Sequence, residues 1–167
     1  ERREFLYTAP VSRIAEDAAP HTIGKSFSIE ADVTLAGKDQ GVLLTQGGRF
    51  GGYAFYLKDG RPVFHYNAVG ADQFTVRADA PLEPGAHKLT ARFVIDEARP
   101  GAGGTLTISV DGREIASGRI GRTVQGWMSH TEGLDVGQDG ITSVSEDYDV
   151  TASRFSGTLR SVLVKLF

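Results

Sequence analysis

The residue types that could do chemistry fall into four groups along this chain. Glu30 and Asp32 stand two apart in an alternating run, so both carboxylates project from one face of a strand. Paired carboxylates on a sheet are how one class of glycosidase holds its nucleophile and its general acid. That chemistry needs a further Glu two or three positions on, where Thr34 and Leu35 stand instead, so the pair reads as a solvated outer face. Asp135-Val136-Gly137-Gln138-Asp139-Gly140, followed by Glu146, partly copies a helix-flanked calcium loop. Gly137 occupies a ligand position of that loop and no amphipathic helices flank it. What remains is a looser calcium site drawn from Asp135, Asp139, Glu146, Asp147 or Asp149, or an acidic loop tied by turns.

The third group is aromatic and polar. Tyr53, Tyr56, His65, Tyr66 and Asn67 are able to line a groove in which a sugar ring stacks and its hydroxyls bond, although aromatic strands are more often core. The fourth is Gln46-Gly47-Gly48-Arg49-Phe50-Gly51-Gly52. Two glycine pairs permit positive φ or close backbone approach and present Arg49, whose guanidinium fork suits an anion or a partner carboxylate. His21, His65, His87 and His130 are too scattered for a zinc site. No Gly-x-Ser-x-Gly elbow occurs, and the glycine-rich runs at 47–52 and 101–104 lack the Gly-Lys-Ser/Thr ending of a phosphate loop. No residue is assigned a catalytic role.

These groups must be positioned by one domain, since 167 residues suffice for a single core. With 18 Lys and Arg against 21 Asp and Glu, the chain has no basic surplus for nucleic acid or an anionic membrane. The absence of cysteine removes disulfides and thiolate chemistry. No apolar run approaches the roughly 20 residues that span a bilayer. The start at Glu1, without Met or a signal core, reads as a mature piece or a fragment of something longer.

Period-two alternation predicts strands at 27–35, where Phe27, Ile29, Ala31, Val33 and Leu35 face one way, and at 87–96. Further strands are expected at 42–45, 53–57, 62–67, 74–77, 105–110, 113–120 and 155–166, with hairpin turns at Asp59-Gly60 and Asp111-Gly112. No window has helical periodicity with end caps. Many short strands punctuated by turns mark an all-β antiparallel sandwich or barrel spanning residues 1–167, with 1–26 an extension or linker packed on it. Residues 121–154 are the least regular part, a place where function or metal bracing is expected.

Several spaced motifs, in one order from about Phe5 to Leu166, resemble the C-terminal region of bacterial arylsulfatases. They are Gln46–Tyr53, the Lys58-Asp59-Gly60 hairpin with Tyr66-Asn67, and the strand ending Val110-Asp111-Gly112. Leu134–Asp139, Val144–Tyr148 and Phe155–Leu159 complete the set. The resemblance implies a jelly-roll sandwich of the concanavalin A or laminin G kind. It also implies an N-terminal catalytic domain as partner in the same polypeptide, and no cofactor of this region's own beyond the calcium considered above. The formylglycine motif of that catalytic domain is not in this sequence, so no catalytic residue carries over. Ala98–Gly104 and Asp139–Thr142 depart from the family pattern, which affects two loop shapes and not the Arg49 segment. The expected role is docking on the catalytic domain through residues 46–52. A carbohydrate-binding module is the alternative, and periplasm, exterior and cytoplasm all stay open.

Overall fold

The computed structural model describes residues 2–8 and 10–167. Its strands are β1 (Glu4–Tyr7), β2 (Val11–Ile14), β3 (Phe27–Leu35), β4 (Gly41–Gly48), β5 (Gly51–Lys58) and β6 (Arg61–Ala68). The rest are β7 (Asp72–Arg77), β8 (Gly85–Ile95), β9 (Gly104–Val110), β10 (Arg113–Ile120), β11 (Leu134–Val136) and β12 (Thr158–Leu166). Helix among the described residues is confined to single 3-10 turns at Glu16–Ala18 and Val150–Ala152. The strands form two antiparallel sheets, one ordered β1-β12-β3-β8-β9-β10 and the other β2-β11-β4-β5-β6-β7.

The fold is therefore an all-β antiparallel sandwich. The N-terminal segment packs on the sandwich by adding an edge strand to each sheet: β1 pairs with β12 at the edge of the first and β2 pairs with β11 at the edge of the second. Glu1 and Ala9 of that segment lie outside the described residues.

Alternation builds the interior. Ile29, Ala31 and Val33 of β3, with Leu89, Ala91 and Phe93 of β8, turn inward against Leu44, Tyr53, Phe55 and Phe64 of the opposite sheet. The Phe27 ring lies 5.2 Å from Tyr53 and 5.5 Å from Phe93, so aromatic rings bridge the two layers. The second sheet is buried on its other face as well. Val42, Ala54, Tyr56 and Val63 form a smaller cluster with Val144 and the half-buried Tyr148. The segment after β11 thus acts as a strap across the outer face. It is pinned where Ser153 O accepts Val42 N at 2.8 Å and Gln40 O accepts Ser156 N at 2.8 Å. Burial on both faces explains why β4, β5 and β6 lack the in-out alternation of β3.

Candidate functional site

The β4–β5 hairpin closes with only Arg49 and Phe50 between the paired strands, Gly48 opposite Gly51 and Gly47 opposite Gly52. Gly47 and Gly52 hold positive φ, which suits glycine. Space dictates the other pair. A Cβ at Gly48 would overlap the Glu132 carboxylate, and one at Gly51 would sit 2.8 Å from Met128 O. Gly47 N also donates to Gly133 O at 3.0 Å. The close approach expected of these glycines toward a partner is therefore made by the chain's own 128–133 segment. Gln46 is buried too, its Oε1 accepting the Tyr53 hydroxyl at 2.7 Å. Of residues 46–52, only Arg49 and Phe50 are exposed, with the guanidinium 5.2 Å over the Phe50 ring.

The five residues expected to line a sugar groove divide between the two faces of the sheet. Tyr53 and Tyr66 point into the core and are buried, which removes both from any groove. Tyr56, His65 and Asn67 lie on the outer face, but their polar atoms are engaged. The Tyr56 hydroxyl donates to Asp147 Oδ2 at 2.6 Å, and its ring meets Tyr148 edge-on at 5.1 Å. Asn67 Nδ2 donates to Arg49 O at 2.9 Å, while its Oδ1 accepts Gly70 N at 2.7 Å. His65 Nε2 lies 2.9 Å from Gln73 Oε1, an acceptor, and Nδ1 lies 2.7 Å from Thr75 Oγ1. That arrangement fits a neutral ring protonated on Nε2, consistent with burial pushing its pKa down.

Three clefts among the described residues open on this face, the largest of about 650 Å³ beside Lys58 and Tyr148, and two of them are lined by the expected residues. One, of about 330 Å³, is lined by Arg49, Asn67, Gln73, Thr142 and Glu146. The other, of about 410 Å³, is lined by His65, Gln73, Arg77, Glu146 and Asp147. Gln73 and Glu146 belong to both, so the clefts adjoin. Arg77 pairs with Asp147. Burial alone would raise the Asp147 pKa, but bonds from Tyr56 and Arg77 hold it below the usual carboxylate range.

Most of the acidic residues considered for calcium, Asp135, Asp139, Asp147 and Asp149, accept hydrogen bonds from the chain's own donors. Asp135 Oδ1 accepts Arg13 N at 2.7 Å. Asp139 accepts Gly140 N at 2.9 Å, Val144 N at 3.2 Å and the Tyr148 hydroxyl at 2.5 Å, and so knots the strap onto the sheet. Burial pushes its pKa up to about 6 despite those donors. Asp147 is committed to Tyr56 and Arg77, while Glu146 faces solvent. Among the described residues, no three His, Cys, Asp or Glu side chains stand close enough together to hold a metal ion. Glu30 and Asp32 occupy the outer face of β3, half-buried, opposite Thr90 and Lys88.

Sequence patterns gave no warning of Glu132, Thr142 or Trp127. Glu132 accepts both Thr142 N and Thr142 Oγ1, and Thr142 Oγ1 in turn accepts Arg49 N at 3.0 Å. Trp127, the sole tryptophan, is exposed in the segment between β10 and β11. An indole in a run without periodicity was the available signal.

No family model matches the chain, and no curated protein matches it. Solved structures do. The CBM40 carbohydrate-binding module of the Ruminococcus gnavus IT-sialidase superposes with a TM-score of 0.61 at 11% identity, over 98% of this chain and 90% of that one. Domains LG4-5 of the mouse laminin alpha1 chain give 0.56 at 16% identity, over 100% of this chain and 42% of that one. The fold is a jelly roll of the concanavalin A and laminin G kind. The receptor-binding domain of botulinum neurotoxin type G shares it more loosely, at a TM-score of 0.50 and 12% identity over 86% of this chain and 34% of that one. At such identities the likeness extends to the jelly roll and not to its ligands.

Proposed function

We propose that this jelly roll is a non-catalytic accessory module of an arylsulfatase-type hydrolase, docked on the catalytic domain of the same polypeptide by the end that carries Arg49. The observation that carries the reading is an apolar rim around an unpaired cation. Phe50 is 72% exposed, Val69 63% and Ile141 47%. Arg49 links the three, because it bonds Thr142, next to Ile141, and Asn67, two residues from Val69. Among the described residues the Arg49 side chain has no carboxylate partner. A rim of this kind suits a partner surface with one acidic group among apolar ones. The resemblance of the spaced motifs to sulfatase C-terminal regions supplies the identity of that partner.

The test is the double variant Arg49→Ala, Phe50→Ser in the complete polypeptide. Lower thermal stability and slower aryl sulfate hydrolysis are expected there, with the isolated 167-residue chain melting as before. Unchanged melting and turnover in the complete polypeptide would remove the docking role.

A second reading, saccharide binding, is favoured by the adjoining clefts that share Gln73 and Glu146. The likeness of fold to a sialidase carbohydrate-binding module agrees with it. Saturable binding of an oligosaccharide that is lost in Gln73→Ala would support this reading, and binding indifferent to that change would remove it.

A further inference from the structure

Trp127 stands in water at 55% exposure, yet the segment that bears it is tied down on both sides. Val124 N donates to the Tyr66 hydroxyl at 3.0 Å. Met128 N and Ser129 N donate to the two oxygens of Glu16 at 2.8 and 3.0 Å. Ser129 Oγ then accepts Thr131 N and Glu132 N. A large apolar ring held rigidly outward forgoes the burial that most such rings obtain, and a rigid aromatic on a fixed frame is how ligand surfaces are built.

Grooves flank the indole on two sides. One, of about 410 Å³, runs past Asp17, His21, Ile23, Pro100 and Gln125. The other, of about 380 Å³, runs past Arg13, His130, Thr131 and Glu132, with the His130 ring 5.6 Å from the indole. Neither is lined by Arg49, Phe50, Val69 or Ile141, so the site is separate from the docking rim. The side chains of Asp17, His21 and Gln125 make no hydrogen bond to another described residue and are free to bond a ligand.

We propose that Trp127 is the stacking platform of a neutral-oligosaccharide site, distinct from the clefts over the second sheet and independent of the docking reading. A pyranose lays its C–H face on the indole while its hydroxyls bond Asp17, His21 and Gln125. The groove on the far side receives the neighbouring sugar, which makes the ligand a chain and not a single ring. Charge selects the class. Glu16, Asp17 and Glu132 line the grooves against Arg13 alone, which disfavours sulfated or carboxylated sugars. A cationic peptide is also poorly served, because Glu16 is consumed by backbone N–H groups and Glu132 by Thr142, leaving Asp17.

Because the chain has one tryptophan, its fluorescence reports this site alone. The 167-residue chain is titrated with cellohexaose, xylohexaose, mannohexaose and maltohexaose, and with a heparin hexasaccharide and hexalysine as charged comparators. The expected result is a saturable shift of Trp127 emission with at least one neutral chain and with neither charged probe. By calorimetry, Trp127→Ala then weakens that binding roughly tenfold or more without altering the melting temperature, and Trp127→Phe restores part of it. Emission unmoved by all four neutral chains, a response to a charged probe instead, or equal affinity in Trp127→Ala would overturn the proposal.

Discussion

Replacing Gly48 by Ala separates what the glycine pairs do from what Arg49 does. A Cβ at position 48 would take the space of the Glu132 carboxylate, so that carboxylate must leave. Its departure breaks its bonds with Thr142 N and with Thr142 Oγ1, and frees the side chain that accepts Arg49 N. Hydrogen bonds to a charged group contribute about 1.5–3 kcal/mol each. Glu132 is half-buried and regains water when displaced, so the net loss is about 2–3 kcal/mol rather than the full sum. For a chain of this size that corresponds to a fall in Tm of roughly 4–12 °C. Arg49→Ala removes only an exposed side chain and should change the stability of the isolated chain by less than about 0.5 kcal/mol. Urea unfolding of both variants, followed by far-ultraviolet circular dichroism, gives the two numbers at a common m value. A neutral Gly48→Ala beside a costly Arg49→Ala would reverse the assignment of internal and outward roles in this hairpin.

Other expectations concern the strap. The folded pKa of Asp139 is raised to about 6 from its ordinary 3.8, so folding favours its protonated form. The associated stability is fully present below pH 3.8 and lost as the pH rises through 6, amounting to about 3 kcal/mol. Asp139→Asn should abolish that part of the pH dependence, and equal slopes in wild type and variant between pH 4 and 7 would contradict it. Tyr56→Phe takes a hydroxyl from Asp147 and Ser145 beneath the strap and should cost about 1–2 kcal/mol in chemical denaturation. A cost near zero would mean that the strap is not held there. Since Asp135, Asp139 and Asp147 are engaged elsewhere in the fold, excess chelator should leave the melting temperature in place. A fall of several degrees would restore a stabilising calcium site.

Strands with one wet face announce themselves. Phe27 to Leu35 alternates because the outer face of β3 meets water, and β8 does the same. β4 to β6 carry a weaker signal, since Val42, Ala54, Tyr56 and Val63 are covered by a strap that arrives about ninety residues later along the chain. β1, β2 and β11 are missed for a different reason. They are three or four residues long, too few for a period, and only pairing with distant strands makes them strands.

The candidate site was legible to a similar depth. Arg49 in a glycine-framed turn is visible as an outward residue, but the close neighbours of those glycines belong to 128–142 and leave no local trace. Tyr53 and Tyr56 differ by an odd number of positions, so one strand cannot present both on one face, and the same holds for His65 and Tyr66. Which parity faces the core depends on the opposite sheet, where Phe27 meets the rings of Tyr53 and Phe64.

The proposed docking requires that the rim at Phe50 be covered in a complete polypeptide that carries a catalytic domain. Hydroxyl-radical footprinting of Phe50 in the isolated chain and in the product of the complete reading frame measures that coverage. Strong oxidation in the isolated chain and marked protection in the complete product is the predicted result. Equal oxidation of Phe50 in both would contradict it.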